Sequence, residues 1–326
     1  MPRMRDGGQW ALLAGCPMLW ASAVVSAADV YPSKLVRIVV PFAPGGSTDL
    51  LTRSVAQQLS EAWKRPVVVE NRAGGGGIVG SSHVVKSPAD GYTLLLGTNT
   101  THAAAATLYS KLPYDLRRDF VPITEIASTP LILSVHPSIP VKSVGELVAF
   151  ARAQPDQLNF GGGTGAAAHM AMELFKSIAK LKLVHVPYKG SGPAMIDLLG
   201  GHLSLGFDAV MTTLPHAQSG KLRTLAVSGL TRSPAVAQIP TMAESGYPGY
   251  EAIVWFGLFA PAATPPEIVR KINEETARGL AMRHIRELLA SQGLDILASS
   301  SADFTLRVDR EIVKWRKVIM DAGIRL

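Results

Sequence analysis

Cysteine is almost missing from this chain: Cys16 is the single one in 326 residues. Because Cys16 falls in an N-terminal stretch that reads as removable, the mature chain is expected to have no disulfide and no thiol chemistry. No HExxH and no paired CxxC occurs, and the eight histidines are scattered, so no metal site and no cofactor is expected. The nucleophile elbow GxSxG is missing too; Gly190-Ser191-Gly192 lacks its spacing. The cations behind the formal net charge of +7 form no basic block and have no interleaved aromatics, which argues against nucleic acid. After the first residues there is no long uninterrupted apolar run. Hydrophobic residues at 47% against 17% charged place the chain among globular proteins, long enough for one large or two medium domains.

What is there begins with Pro41-Phe42-Ala43-Pro44-Gly45-Gly46-Ser47-Thr48-Asp49. The apolar run Leu35 to Val40 before it reads as a buried strand. Leu50 to Trp63 after it reads as an amphipathic helix, with Leu51, Val55, Leu59 and Ala62 on one side. A strand, a glycine turn and a helix start make an anion cradle, because the first helical turn has unpaired N–H donors and the positive end of the dipole. Ser47, Thr48 or Asp49 can cap that helix. With neither a phosphate-loop lysine nor GxGxxG, the cradle suits a carboxylate better than a nucleotide.

The pattern recurs. Pro66 to Glu70 is a short strand followed by four glycines, Gly74 to Gly77, which suit either a loose rim or a second turn facing the first. Tyr92 to Leu96 is a strand ending in Gly97-Thr98-Asn99-Thr100-Thr101-His102, where His102 reads as a helix-start residue. Three strand ends of this kind argue for a parallel sheet with helical crossovers and a ligand at the carboxyl ends. From Asp119 to Pro137 a proline-broken double strand suits passage to a second domain. There Leu158 to Phe160 leads into Gly161-Gly162-Gly163-Thr164-Gly165-Ala166 and a helix through His169. This formally matches GxGxxA, but the next strand, Lys182 to Val186, has no acidic residue for a ribose. The expectation is two helix N-termini, one per domain, closing on one anion. Lys189 reads as a rim residue, and Ile253 to Phe259, with Trp255 and Phe256 in the core, as the return crossover.

At the N-terminus Arg3 and Arg5 precede the mostly small or apolar stretch Trp10 to Val25 and a small-residue site near Ala27 or Ala28, the signature of an export signal over residues 1–28. Leu13-Ala14-Gly15-Cys16 offers lipid anchoring as the alternative. The domain reading is 29–127 with 252–326 as one discontinuous domain and 128–251 as the other.

From about Tyr31 onward the chain resembles the Bug-family receptors, the solute-binding components of tripartite tricarboxylate transporters. The blocks that carry the resemblance are Pro41 to Asp49, Glu70 to Gly74, Gly161 to Thr164 with His169 and Glu173-Leu174-Phe175, Val186 to Gly190, Asp197 to Gly201 with Phe207-Asp208, and Gly257 to Pro261. The resemblance implies an α/β fold of the two-domain type II periplasmic binding class (a Venus flytrap), with a mixed or parallel sheet and flanking helices in each domain. It implies a monomeric periplasmic receptor that is not an enzyme and that passes a small carboxylate to integral membrane subunits. Carried over, it places Phe42, Gly45, Gly46, Thr48 and Asp49 at the site, with Gly163, Thr164 and His169 opposite, Asp208 on the far wall, and Thr98 and Asn99 on a third loop. Ala166-Ala167-Ala168 stand where the family often has serines, which favours an aliphatic or aromatic mono- or dicarboxylate over an amino acid. Two other uses of such a clamp are signalling to a sensor kinase, and an enzyme with Asp49 and His169 as acid and base.

Overall fold

The computed structural model of the chain describes residues 31–321, 323 and 324; the expected export signal, its cleavage site and Cys16 lie outside them. In β1 (Val36–Val40) the four aliphatic side chains are fully buried between covering layers, as in a strand inside a parallel sheet, while Arg37 reaches the surface and pairs with Glu70. α1 (Ser47–Trp63) lays Leu51, Val55 and Leu59 on the core, each contributing about 1.5–3 kcal/mol by burial. It ends at Lys64, whose left-handed backbone turns the chain back. β2 (Val67–Asn71), α2 (Ile78–Val85), β3 (Thr93–Thr98) and the short α3 (Ala105–Leu108) follow, with a wide turn over Thr100–Ala104 between the last two. β1 pairs in parallel with β2 and β3, so the carboxyl ends of these strands lie together.

β4 (Phe120–Val135) is one strand of 16 residues, not the proline-broken pair expected. The register slips after Pro122 and after Glu125, and the Glu125 N–H is taken by Ser299 Oγ; such irregularities absorb a proline that has no N–H to give. After α4 (Val144–Ala153), β5 (Asn159–Gly163) continues through the glycines, so Gly161 to Gly163 belong to the strand and only 164–166 turn. α5 (Ala167–Ala179), β6 (Val184–Tyr188) and α6 (Ser191–Leu199) follow. Then come β7 (Leu205–Ala209), α7 (Val210–Gln218), which the sequence reading passed over, and β8 (Arg223–Val227).

β9 (Ile253–Pro261) returns antiparallel between β3 and β4, as expected of the crossover, and α8 (Pro266–Ala281), α9 (Arg283–Ser291), β10 (Asp295–Ile296) and α10 (Ser301–Asp321) complete the chain. The strand order is β2-β1-β3-β9-β4-β7-β5-β6, with β8 and β10 also on β4. β4 is thus shared: Phe120 to Pro130 pair with β9, and Leu131 to Val135 with β7 and β8. Trp255 and Phe256 are fully buried; the Trp255 and Trp315 indoles donate to the buried Glu311 carboxylate at 3.3 and 3.0 Å. Among the described residues no helix is long and apolar enough to cross a membrane.

Candidate ligand-binding cleft

Three helices begin at one cavity of about 50 Å³. Gly46, Ser47 and Thr48 bring the first turn of α1, Ala166 to Ala168 that of α5, and Gly190 with Ser191 that of α6. None of these helices has a side-chain cap, so first-turn N–H groups remain free of that competition. The expected cap at Ser47, Thr48 or Asp49 is displaced to Gly46. Phe42, Leu131, Val254 and the three alanines give the cavity an apolar body, and Thr98 and Thr100 add hydroxyls. Thr98 Oγ1 is buried without a hydrogen-bond partner. No lysine or arginine is among the described lining residues; Asp208 is their one charged group.

Of the expected site residues, Phe42, Gly46, Thr48, Thr98, Gly163 and Asp208 line this one cavity. Gly45, Asp49, Asn99, Thr164 and His169 do not line the cavity. Asp49 reaches back from the first turn of α1. Its carboxylate accepts the Gly45 N–H at 3.0 Å, Asn71 Nδ2 at 2.9 Å and Arg53 Nε at 3.1 Å. Burial pushes this carboxyl up, but the bonds from Arg53, Gly45 and Asn71 outweigh it and hold it below the ordinary value. The Gly45 N–H is spent on that bond. Asn99 Nδ2 donates to the Ile253 carbonyl at 3.1 Å, which ties the third loop to β9. Thr164 lines a neighbouring recess of about 220 Å³, across from Gly74 to Gly77 and beside Lys189, which is exposed at its rim. His169 lies under the second loop and accepts the Gly165 N–H. His102 is buried and stacked on Phe259, and burial lowers it to about 3.

Asp208 accepts the Ala209 N–H at 2.8 Å. Burial pushes its carboxyl up to about 6, against the pull of Ala209 and of the Thr212 and Ser191 hydroxyls. The two sides of the cleft also touch. The Ala43 N–H donates to the Lys189 carbonyl at 3.0 Å, and a Cβ on Gly46 would stand 2.6 Å from Ser191 Oγ. Gly192 lies so close to Pro44 and Gly45 that no side chain fits there.

Ala43, Ser47, Thr100, Leu131 and Val254 line the cleft outside the expected set, and so do Gly190 and Ser191. The signal for the last two is the same glycine turn before a helix. Pro193 sits within the first turn of that helix, where a proline is tolerated.

A family model for the tripartite tricarboxylate transporter family receptor matches residues 51–324. The chain belongs to that family. Among relatives of this receptor, Protein BugT of Bordetella pertussis is 37% identical over 320 residues, 97% of this chain and 98% of BugT. The structure of R. palustris Rpa4515 with adipate superposes with a TM-score of 0.88 at 40% identity, covering 90% of this chain and 99% of that one. MatC from Rhodopseudomonas palustris with bound malate gives 0.85 at 31% identity, covering 89% and 100%. The mixed α/β architecture is therefore that of periplasmic binding proteins of the tripartite tricarboxylate type.

Proposed function

We propose that this receptor binds a small carboxylate in the cleft between β1–α1 on one side and β5–α5 and β6–α6 on the other, and delivers it to the membrane subunits of a tripartite tricarboxylate transporter. The observation that carries this reading is the convergence of three uncapped helix starts on one cavity whose described lining has no cation. A micromolar ligand requires about −8 kcal/mol. A helix end supplies roughly 0.3–1 kcal/mol, and about 2 when partly buried. The remainder falls to charge-assisted bonds from first-turn amides and the Ser47, Thr48 and Thr98 hydroxyls, at about 1.5–3 kcal/mol each before ordering costs.

In this reading the lobes are 29–127 with 252–326 and 128–251, and they hinge where β4 changes partners from β9 to β7 and β8. Closure excludes water and the membrane partner reads the closed form. The receptor works outside the cytoplasm after export, as a monomer and without turnover. Against an acid–base pair of Asp49 and His169 stands the fact that internal bonds occupy the Asp49 carboxylate and His169 Nδ1, and neither residue lines the cavity.

The relatives solved with adipate and malate make aliphatic dicarboxylates the first compounds to try. The apolar floor at Ala166 to Ala168 suits a methylene chain or a ring. Titration calorimetry on protein stripped by unfolding and refolding tests the reading. Heat with at least one carboxylate of a mono- and dicarboxylate panel is expected; silence across the panel overturns it.

A further inference from the structure

The second glycine loop is held from beneath by two imidazoles. The Gly165 N–H donates to His169 Nδ1 at 2.9 Å, so that nitrogen presents a lone pair. The Gly162 carbonyl can only accept, so His185 Nε2, 3.2 Å away, presents a hydrogen. The rings stack with centroids 3.9 Å apart and planes 15° from parallel, and Phe160 of β5 packs against both. His169 is buried. The charged groups facing the stack come from α5: Glu173 Oε1 lies 3.7 Å from His169 Nε2 and accepts Lys176 Nζ at 2.7 Å. β6 contributes His185 itself.

This arrangement works only with both rings neutral. Two cations at this separation repel strongly in a buried setting. Burial, aided by His169 and Lys176 and opposed by the Gly162 carbonyl and Glu173, lowers His185 to about 4, so it stays uncharged. A proton taken up by His169 lands on Nδ1, with Glu173 ready at the opposite edge to pair with the cation. Nδ1–H then faces the Gly165 N–H, donor against donor, and the bond that shapes the loop is gone.

We infer that the stacked His169 and His185 are positioning residues for the second glycine loop, holding Gly162 to Gly165 in the form that lets Gly163 and Ala166 line the cleft, and that proton uptake on His169 undoes the hold. The hold itself follows from the loop contacts. Its consequence for ligand, weaker grip in acid, rests on the carboxylate-receptor reading.

The test separates the two. Hydrogen exchange of the 161–166 segment is measured as protection factors at about pH 7.5 and about pH 5 in ligand-free wild type and variants. In His169→Asn the amide oxygen stands near the Nδ1 position and cannot titrate; His169→Leu has no acceptor. For wild type a fall of roughly tenfold in acid is expected. The Leu variant should be weakly protected at both pH values and the Asn variant well protected at both. His185→Gln, which keeps a donor for the Gly162 carbonyl, should match wild type at neutral pH. Wild-type protection in His169→Leu, or an undiminished acid response in His169→Asn, would overturn the inference. If the Leu variant does not fold by circular dichroism, the Asn variant decides alone. Adipate calorimetry on the same proteins reads the ligand consequence: the acid loss of affinity should vanish in His169→Asn. A wild type that binds no carboxylate sinks the receptor reading and leaves the exchange result standing.

Discussion

On one side of the cleft the loop from Pro44 to Asp49 is braced by charge: the Asp49 carboxylate gathers a backbone N–H, an amide and a guanidinium. On the other side Gly162 to Gly165 rest on a pair of stacked rings whose hydrogen bonds demand neutrality. Both loops lead to the same product, a helix start at one cavity. They differ in how they meet acid. A carboxyl held below its ordinary value keeps its charge as the solution acidifies, whereas an imidazole lone pair is the first acceptor to be lost. Charge braces the first loop and hydrogen-bonding neutral rings brace the second, so one clamp holds its two sides by unlike means.

The harshest way to break the comparison is to fill the contact where the two sides meet. Gly46→Val puts branched carbon against Ser191, whose Oγ already lies 2.6 Å from where a Cβ would stand. Carboxylate affinity should fall more than about 100-fold by calorimetry. The melting temperature should move by only a few degrees, because the clash opens the cleft instead of the core. Next in size is the charged brace. Asp49→Ala leaves the Gly45 N–H and Asn71 Nδ2 short of an acceptor, and urea unfolding should show a loss of about 2–3 kcal/mol. In wild type the Asp49 contribution is fully present above the ordinary carboxyl pKa of 3.8 and is lost as pH falls through the lower folded value. Acid unfolding should therefore lose its dependence on this group in the variant.

Asp208 sharpens the comparison from the far wall. Its raised carboxyl means that the folded protein binds the proton more tightly than the unfolded chain. Stability from this group is therefore lost as pH rises between 3.8 and about 6. A second carboxylate arriving beside it should take up a proton, so dicarboxylate affinity should decline as pH rises above about 6. Calorimetry in two buffers of different ionisation heat would expose that proton, and Asp208→Asn should remove it and flatten the alkaline decline. The smallest effect belongs to Thr98→Val. Oγ1 has no partner within the protein, so folding stability should stay within about 0.5 kcal/mol while affinity falls roughly fivefold.

Much of this molecule could be read before any coordinates. Strand–glycine–helix junctions are local, and β1, α1, β3 and β9 follow from apolar runs whose periods are unmistakable. What escaped was decided by contacts distant in the chain. β4 runs through Pro122 where its β9 register slips, and through Pro130 where it changes partners from β9 to β7. α7 carries an internal Pro215 and adjacent threonines, poor local signals that packing overrides. In the site, Phe42, Gly46, Thr48, Thr98, Gly163 and Asp208 came from the family resemblance; Thr98, Gly163 and Asp208 stand at the carboxyl ends of their strands and Thr48 in the first turn of α1. The role of Asp49 was not legible, because Asn71, its partner, lies 22 residues away; nor was that of His169, whose stacking partner His185 comes from the next strand.

The central claim is that helix starts from both sides of the cleft hold one carboxylate. A crystal structure with a bound carboxylate, whether co-purified or soaked adipate, tests it most directly. The account predicts carboxylate oxygens within about 2.7–3.1 Å of first-turn donors of α1 and of α5 or α6. A ligand bound against one side alone, or seated outside this cavity, would contradict it.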